Sequence, residues 1–445
     1  MTEVPPHRSL LRVLGGAFGL AMVVGATIGG GILGTPGSVA TALPNTALFM
    51  GAWIFGGINA LLGATVYSEL GAMLPSSGGI YVYARRAFGD GVGFFVGFAD
   101  WINWSVSAAA LILLVGQYLG ELIPFFAGQA LLAGCTVFAA LAIGQWAGVR
   151  SGGRVQEVTS VLKAAALIGL VIAAFVLPHT TPTAAVAAPA LIPHGLPLLL
   201  AFGVAMQGVV FSYDSYYAVV YCGEEIQNPG TAIPRSIFRG LFIIIGIYLV
   251  LNWAFLTVVP VQQVAGDAFV GGTVGKLIFG QRGDTIIRLI MVVAVLGTIN
   301  AQIMASPRIL LAMARDGLFP KQATRVNAGG TPVVALVMSL VLTGATLFTG
   351  SFNFILGVDT FFIITLYIIN FSSLFALRRK EPDLPRPYRA WGYPFVPMLA
   401  IAISALLLVT MIIGDVRGAL ITVGLMAVSW PVARWAKRNR IAVRR

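Results

Sequence analysis

Three ionisable side chains, Asp100, Lys163 and Asp214, lie within long apolar stretches of the sequence. A charge at the depth of a lipid bilayer is costly unless it faces protein or water, so each is a candidate for ion pairing, cation binding or proton exchange. The sequence contains no phosphate-binding loop, no nucleophile–base motif and no cluster with metal-ligand spacing. These residues therefore indicate non-covalent binding, and we expect neither enzyme activity nor a cofactor.

A glycine-rich segment, GATIGGGILGTPG, interrupts the first apolar stretch between Gly25 and Gly37. Each glycine costs a helix about 1 kcal/mol relative to alanine, and a proline costs about 3 kcal/mol. Isolated small residues allow helices to pack closely, but the consecutive glycines at 29–31 occupy every face of a helix, and Pro36 follows them. The segment therefore predicts a break in this helix. A second break is predicted in the sixth stretch, at FSYDSYY around Asp214.

Broken helices expose main-chain groups that can bind an amino acid. At a break, the last carbonyl groups of one half-helix and the first amides of the next lose their partners. The amides lie at the positive end of a helix dipole and can hold a carboxylate, whereas the carbonyls can hold an ammonium. Glycine leaves room for a ligand to approach the chain. Interruptions at matching positions of two consecutive halves are typical of transporters with inverted repeats.

Membrane-spanning helices are the elements predicted to position these residues. Of the 445 residues, 58% are hydrophobic and 10% are charged, which leaves too little polar surface for a large soluble protein. A hydrocarbon core of roughly 30 Å needs about 20 apolar residues per span. The predicted fold class is an all-α integral membrane protein. Its twelve predicted spans are residues 15–42, 46–74, 88–120, 129–149, 155–177, 196–222, 236–260, 284–314, 333–350, 354–377, 393–413 and 417–436.

The basic residues predict how these spans are oriented. With the N-terminus inside, the cytoplasmic segments hold 23 of the 28 lysines and arginines, which is the asymmetry that orients membrane proteins. Both termini are then cytoplasmic. The formal net charge of +12 reflects this topology and contact with lipid headgroups rather than nucleic-acid binding. We expect a multi-pass protein of the cytoplasmic membrane.

Six motifs, in order along the chain, resemble the amino acid–polyamine–organocation superfamily, and most of all its L-type amino acid transporters and bacterial serine/threonine exchangers. Any one motif is weak evidence, but their order over most of the chain makes the resemblance specific. The motifs are GATIGGGILGTPG, YSELGAMLPSSGGIYVYARRAFG (67–89), FSYDSYY, GEEIQNPGTAIPRS, ARDGLFP together with Asn300 and Arg308, and RPYRAWGYPFVP.

The resemblance implies a single transporter domain over residues 1–445. Its core would be two inverted five-span repeats, with discontinuous first and sixth spans, joined by two peripheral spans. The substrate would bind between the two broken spans. The implied segments are a cytoplasmic N-terminus at 1–14, a first repeat at 15–177, a second repeat at 196–377, spans eleven and twelve at 393–436, and a cytoplasmic tail at 437–445.

The resemblance also implies which residues bind the substrate. The carboxylate is expected on the main chain of the first break and the amine on carbonyl groups of the second, with Phe211 as an aromatic lid. Gly30 stands where the family usually has serine or threonine, and Asp214-Ser215-Tyr216 replaces its frequent Gly-Gly-Trp, so side-chain specificity does not carry over. The predicted substrate-binding residues are Ile28, Gly29, Gly30, Gly31, Phe211, Ser212, Asp214 and Asn300.

Lys163 lies about eight residues, roughly 12 Å, into the fifth span, where its side chain either snorkels to the interface or contacts the protein interior. It resembles the lysine that sodium-independent members place where relatives bind Na⁺, so we expect no sodium requirement; proton coupling stays open. Asp100 has three interpretations: pairing with Lys163, contact with a cationic substrate, or the lining of a solvated cavity. Glu69 and Arg85 are expected in an inner gate, with Phe211 closing the outer side.

We therefore expect a secondary active transporter that exchanges small neutral L-amino acids or imports them with protons, by alternating access. One alternative is a carrier of polyamines, amines or cationic amino acids that uses Asp214 and Asp100. Another is a membrane sensor that binds an amino acid without moving it. Residues 119–130 contain no cysteine, so a partner chain linked by a disulfide there, as in mammalian members of the family, is not expected. The expected partners are the amino acid, the lipid bilayer and protons.

Overall fold

The computed structural model describes residues 10–178, 195–267, 269–347, 352–414, 416, 418–424 and 427, with the backbone alone for 352–358. Within these residues every regular element is helical, and extended backbone pairs only at isolated bridges. The α-helices are α1 (Gly16–Thr27), α2 (Gly31–Gly34), α3 (Pro36–Ala42), α4 (Thr46–Met73), α5 (Ile80–Phe88), α6 (Asp90–Leu122), α7 (Ala130–Ala147), α8 (Val149–Val176), α9 (Leu196–Tyr213), α10 (Pro229–Val258), α11 (Val261–Val264), α12 (Val270–Phe279), α13 (Gly283–Arg315), α14 (Val333–Thr346), α15 (Phe352–Lys380) and α16 (Phe395–Gly414).

Ten helical segments in the described part of the chain are long and apolar enough to cross a membrane. They correspond to predicted spans one to eight, ten and eleven, so the prediction of an all-helical membrane protein is confirmed. The predicted ninth span corresponds to α14, a shorter apolar helix. The predicted twelfth span, 417–436, lies largely outside the described residues, and the total of twelve stays a prediction.

The first span is broken where the glycine-rich segment predicts it. α1 ends at Thr27, and Ile28 leaves the helix with extended backbone angles of φ −76° and ψ 94°. The helix resumes as the short α2 at Gly31, and Pro36 then occupies the first turn of α3. A proline is tolerated there because the first amides of a helix have no intrahelical acceptor.

The sixth span is broken at the second predicted position. α9 ends at Tyr213, so Phe211 and Ser212 are still helical. Ser215 has a φ of 67°, in the left-handed region that a residue with a side chain enters at a cost. After one 3₁₀ turn at Ala218–Tyr221 the chain runs without a regular helix to α10. The second half of the sixth span is therefore much less regular than the second half of the first span.

The first broken span lies inside the bundle. α1 packs against α8, α10 and α13, and its residues from Ala21 to Thr27 are buried. α9 packs against α3, α4 and α16. Because non-helical backbone is tolerated at membrane depth only where protein or a cavity surrounds it, this packing is what permits the breaks.

The segments predicted to be cytoplasmic meet at one end of the molecule. The amide of Leu14 donates to the carbonyl of Glu225 at 2.9 Å, and Ser77 pairs with Cys222 in an isolated bridge. At the same end, the guanidinium of Arg85 lies 2.8 Å from the carboxylate of Asp316. Contacts among the N-terminal segment and three predicted inner loops agree with their assignment to one side of the membrane.

Candidate functional site

The two helix breaks border one small cavity of about 30 Å³. Its walls come from the α1–α2 break, the end of α9, and facing residues of α6, α13 and α15. Among the predicted substrate-binding residues, the glycines at 29–31, Phe211 and Asp214 line it together. The other lining residues are Ala26, Thr27, Asn103, Trp104, Ser107, Leu111, Ser215, Thr298, Gln302 and Asp359.

Close contact between the two breaks explains the need for glycine at position 31. A Cβ atom on Gly31 would lie 2.8 Å from the Ser212 hydroxyl oxygen and 3.1 Å from the Ser212 Cα atom. Real Cβ atoms rarely come so near to main-chain atoms. The main chain of the first break and the last turn of α9 can therefore lie side by side only because residue 31 has no side chain.

Lys163 is fully buried and fixes the end of α1. Its ammonium donates to the carbonyl oxygens of Gly25 at 2.8 Å and Ile28 at 2.6 Å, and it lies 3.4 Å from the hydroxyl oxygen of Thr298 on α13. The interpretation that this side chain snorkels to the membrane interface is wrong. The ammonium instead joins α1, α8 and α13 and holds carbonyl groups that the helix break leaves without amide partners.

Ile28 lies beside this contact, and both of its main-chain polar groups are engaged. Its amide donates to the carbonyl oxygen of Val24 at 2.9 Å, and its own carbonyl accepts from Lys163. The structure thus corrects the expectation that Ile28 helps to bind a carboxylate, because its amide still completes the last turn of α1.

Tyr248 on α10 is a contact that the sequence analysis missed. Its buried hydroxyl lies 3.0 Å from the carbonyl oxygen of Thr27 and 2.8 Å from that of Ser212. A hydroxyl has one proton to donate, so Tyr248 can bond fully to only one of these carbonyl oxygens at a time. Its position between them links the ends of α1 and α9. The Ser212 carbonyl, expected to bind an amine, already has this donor. No signal in the sequence marked Tyr248, because tyrosine is common in membrane helices.

Asp214 lines the cavity and accepts hydrogen bonds from neutral donors. The Tyr367 hydroxyl lies 2.6 Å from its Oδ1 atom, and the Ser215 hydroxyl lies 3.0 Å from its Oδ2 atom. Tyr367 comes from α15, so the carboxylate joins the second break to another span. No ion pair to Asp214 occurs within the described ranges.

A second carboxylate in the cavity, Asp359 on α15, was also missed. Its Oδ1 atom is buried and has no hydrogen-bond partner in the described part of the chain, and the same is true of the amide oxygens of Asn103 and Gln302. All three residues line the cavity. Asp359 lies within the predicted span 354–377, so the rule that identified Asp214 as a buried intramembrane charge could have found it.

Asn300 lies away from the cavity, which corrects its expected role in substrate binding. Its Nδ2 atom donates to the carbonyl of Gly152 at 3.1 Å and to the side chain of Gln156 at 2.7 Å. Its Oδ1 atom accepts from Gln145 at 2.8 Å. The Asn300 amide is thus used to join α13 to α7 and α8.

Asp100 follows none of its three interpretations. It is buried, and both of its carboxylate oxygens accept from the Tyr221 hydroxyl, at 3.0 and 2.9 Å. It does not pair with Lys163, and it does not line the cavity that borders the helix breaks. Its observed contact joins α6 to the 3₁₀ turn that follows the second break.

Glu69 and Arg85 belong to different ion-pair groups and do not pair with each other, so their expected part in an inner gate stays a prediction. Glu69 is fully buried, pairs with Arg378 and Arg386, and accepts from the amide of Ala390 at 2.6 Å. Arg85 instead lies 2.8 Å from both Asp90 and Asp316. The two groups close separate parts of the same end of the molecule. The accompanying pairs there are Arg86–Glu381, Arg315–Glu224 and the buried Arg308–Glu225.

Comparison with known proteins gives matches over nearly the whole chain. Residues 19–432 match the family model described as amino acid permease. The serine/threonine exchanger SteT of Bacillus subtilis (strain 168) is 26% identical over 440 residues, which cover 97% of this chain and 98% of that protein. The large neutral amino acids transporter small subunit 2 of Mus musculus is 27% identical over 399 residues, covering 86% and 73%. The b(0,+)-type amino acid transporter 1 of Homo sapiens is 25% identical over 422 residues, covering 93% and 85%.

Proposed function

Because the chain belongs to the amino acid permease family, we propose that it carries small L-amino acids across the cytoplasmic membrane by alternating access, without sodium. As a member of that family it is a multi-pass membrane transporter and not an enzyme. The observation that carries the proposal is the single cavity lined by both helix breaks, with the glycines at 29–31 on one side and Phe211 and Asp214 on the other.

The proposed architecture is a single domain of twelve spans with both termini in the cytoplasm. Residues 15–177 and 196–377 would form the two inverted repeats, and 393–436 the two peripheral spans. Breaks in the first and sixth spans, at matching positions of the two halves, support this division. The gathering of the basic loops at one end supports the orientation.

The proposed binding mode uses the main chain for the groups that all amino acids share. The carboxylate is held by the main chain at residues 29–31, where glycine permits close approach. The ammonium is held at the end of α9, by the Phe211 carbonyl group and the Asp214 carboxylate, and the Phe211 ring closes over the substrate. Ile28 and Ser212 are left out of this set because their main-chain groups have the protein partners described above.

Lys163 takes the place of a bound sodium ion in this proposal. Its ammonium supplies a positive charge to the carbonyl groups of Gly25 and Ile28, as a cation at the end of a half-helix would. The carrier then needs no sodium to order the first break. Both amino acid exchange and proton symport are compatible with this arrangement. The proposal includes no disulfide-linked partner chain at residues 119–130, which contain no cysteine.

The test is counterflow in proteoliposomes that contain the purified protein, loaded with one unlabelled amino acid at a time in sodium-free buffer. Uptake driven by amino acids, unchanged when sodium is added and lost in Lys163→Ala, is the expected result. Acceleration by an inward proton gradient distinguishes symport from exchange. Uptake driven by diamines alone would replace the proposal with an amine carrier. A thermal shift with an amino acid but no flux would indicate a sensor.

The same experiment tests whether the substrate is a small neutral amino acid, as expected from the sequence. The relative named for serine and threonine favours a small neutral substrate, and the one named for large neutral amino acids favours a neutral substrate of larger size. The polar and acidic residues that line the cavity bear on the charge of the substrate's side chain.

A further inference from the structure

Three residues that line the cavity each have a buried oxygen atom without a hydrogen-bond donor. These atoms are Oδ1 of Asp359, Oε1 of Gln302 and Oδ1 of Asn103, and each lacks a partner in the described part of the chain. Asp359 is only 4% exposed. A buried acceptor without a donor is unfavourable, and a buried carboxylate more so, unless something else supplies the missing group.

The orientation of Gln302 keeps its oxygen available. Its Nε2 atom donates to the hydroxyl of Ser107 at 3.0 Å, and both residues line the cavity. Because the amide nitrogen is used by the protein, the amide oxygen is the group left for a ligand. The cavity therefore offers acceptors that need a donor from outside the protein.

The charge of the cavity points in the same direction. Asp214 and Asp359 both line it, and no lysine or arginine is among its described lining residues. The donors to Asp214 include the neutral hydroxyl groups of Tyr367 and Ser215. The nearby cation, Lys163, donates to the carbonyl groups of Gly25 and Ile28 instead. Two carboxylates thus share a cavity whose described lining residues supply no cation, whereas buried charges are normally paired.

Resting on the proposed function, we propose that the substrate is a short-chain basic L-amino acid whose side-chain ammonium pairs with Asp359. The α-ammonium lies at Asp214 and the end of α9, and the α-carboxylate at residues 29–31. The second ammonium supplies three donors, which match the free oxygens of Asp359, Gln302 and Asn103. Asp359, rather than Asp100, is then the residue that distinguishes a basic from a neutral substrate.

The size of the cavity indicates a short side chain. At about 30 Å³, it has room for about two water molecules, so binding of any amino acid requires movement of the protein, and each added methylene requires more. Phe211, which is half-buried, and the buried Trp104 are two bulky aromatic residues that line the cavity. We expect diaminobutyrate and ornithine to be carried better than lysine.

The test is counterflow with labelled ornithine in the presence of unlabelled competitors. The basic competitors are diaminobutyrate, ornithine and lysine. Their neutral counterparts, which lack the second amine, are aminobutyrate, norvaline and norleucine. In the wild type, each basic compound should compete about tenfold or more better than its neutral counterpart, as expected for a charge-assisted hydrogen bond. In Asp359→Asn this preference should disappear, while norvaline counterflow persists and shows that the protein is folded.

Asp100→Asn is the matched control, because Asp100 is also a buried carboxylate but bonds to Tyr221 outside the cavity. It should keep the preference for basic compounds. Norvaline counterflow without ornithine counterflow in the wild type would overturn the substrate class and leave the proposed function standing. Competition by putrescine equal to that by ornithine would also overturn it, since the carboxylate would not be recognised. No counterflow with any amino acid would overturn the proposed function itself.

Discussion

The ammonium of Lys163 lies 2.6 Å from the carbonyl oxygen of Ile28, the first residue beyond the end of α1. Ile28 is followed directly by the glycines that line the cavity. A residue of the fifth predicted span therefore fixes the conformation of the first break next to the proposed substrate site. Any change in this contact is expected to reach the main-chain groups at 29–31.

Replacement of Lys163 by methionine should abolish most transport. Methionine keeps much of the length of the side chain but leaves the carbonyl groups of Gly25 and Ile28 without their cation. The Thr298 hydroxyl lies 3.1 and 3.2 Å from these two carbonyl oxygens but has one proton to donate, so at least one buried acceptor is left unpaired, at a cost of about 1–3 kcal/mol. Counterflow rates and thermal unfolding of the variant in detergent would measure both effects.

Lys276→Met is the control for the loss of a lysine. Lys276 is exposed and lies 3.6 Å from Asp284, in a segment predicted to lie on the outer side of the membrane. Its removal should leave transport nearly unchanged. Equal loss in the two variants would show that Lys163 has no special role at the break.

Removal of the Tyr248 hydroxyl should weaken the coupling between the two breaks. Tyr248→Phe keeps the ring but takes the donor from the carbonyls of Thr27 and Ser212. A loss of about 1–3 kcal/mol corresponds to about 5- to 150-fold in substrate affinity. Concentration dependence of counterflow would measure it. Tyr83→Phe serves as the control, because the buried Tyr83 hydroxyl has no partner in the described residues; a similar loss there would argue against the Tyr248 contact.

A methyl group should be tolerated at Gly34 but not at Gly31. In Gly31→Ala the new Cβ would lie 3.1 Å from the Ser212 Cα atom, so the first break and α9 must separate. Around Gly34 there is no atom within 4 Å of the added Cβ, and alanine favours the helix by about 1 kcal/mol. We expect loss of counterflow in Gly31→Ala and unchanged counterflow in Gly34→Ala. Normal transport by both variants would remove the steric argument for glycine at 31.

The helix breaks were predictable because they depend on local chemistry. Three consecutive glycines destabilise a helix wherever they occur, and a carboxylate such as Asp214 is unusual in any membrane span. The same rule, applied to every span, would have identified Asp359. The sequence therefore contains the signal for Asp359 as clearly as it does for Asp214.

The hydrogen-bond and ion-pair partners of individual polar residues, such as Glu69 and Asn300, were not predictable in the same way. Glu69 bonds to Arg378 and Arg386 rather than to Arg85 because α15 and the loop after it pack beside α4. Asn300 lies on the expected helix, but its side chain bonds to Gln145 and Gln156. The resemblance placed each residue on a span, whereas its contacts depend on packing between segments far apart in sequence.

Loss of one partner from the buried ion pair between Arg308 and Glu225 should lower stability far more than loss of one partner from an exposed pair at the same end of the molecule. The two side chains are 1% and 0% exposed and lie 2.9 Å apart, and the Glu225 carbonyl also receives the amide of Leu14. Arg308→Met would leave a buried carboxylate without a cation, at a cost of about 3–5 kcal/mol. Thermal unfolding in detergent should show a clear decrease for this variant.

Two further variants make this result specific to the pair. Arg86→Met removes a guanidinium that is 54% exposed and pairs with Glu381, so the change in unfolding free energy should be about 0–1 kcal/mol. Arg308→Met combined with Glu225→Gln removes both charges and should recover part of the lost stability, because no unpaired carboxylate remains buried. If Arg308→Met is no less stable than Arg86→Met, or the double variant is less stable than Arg308→Met alone, the pair does not hold this end of the molecule together.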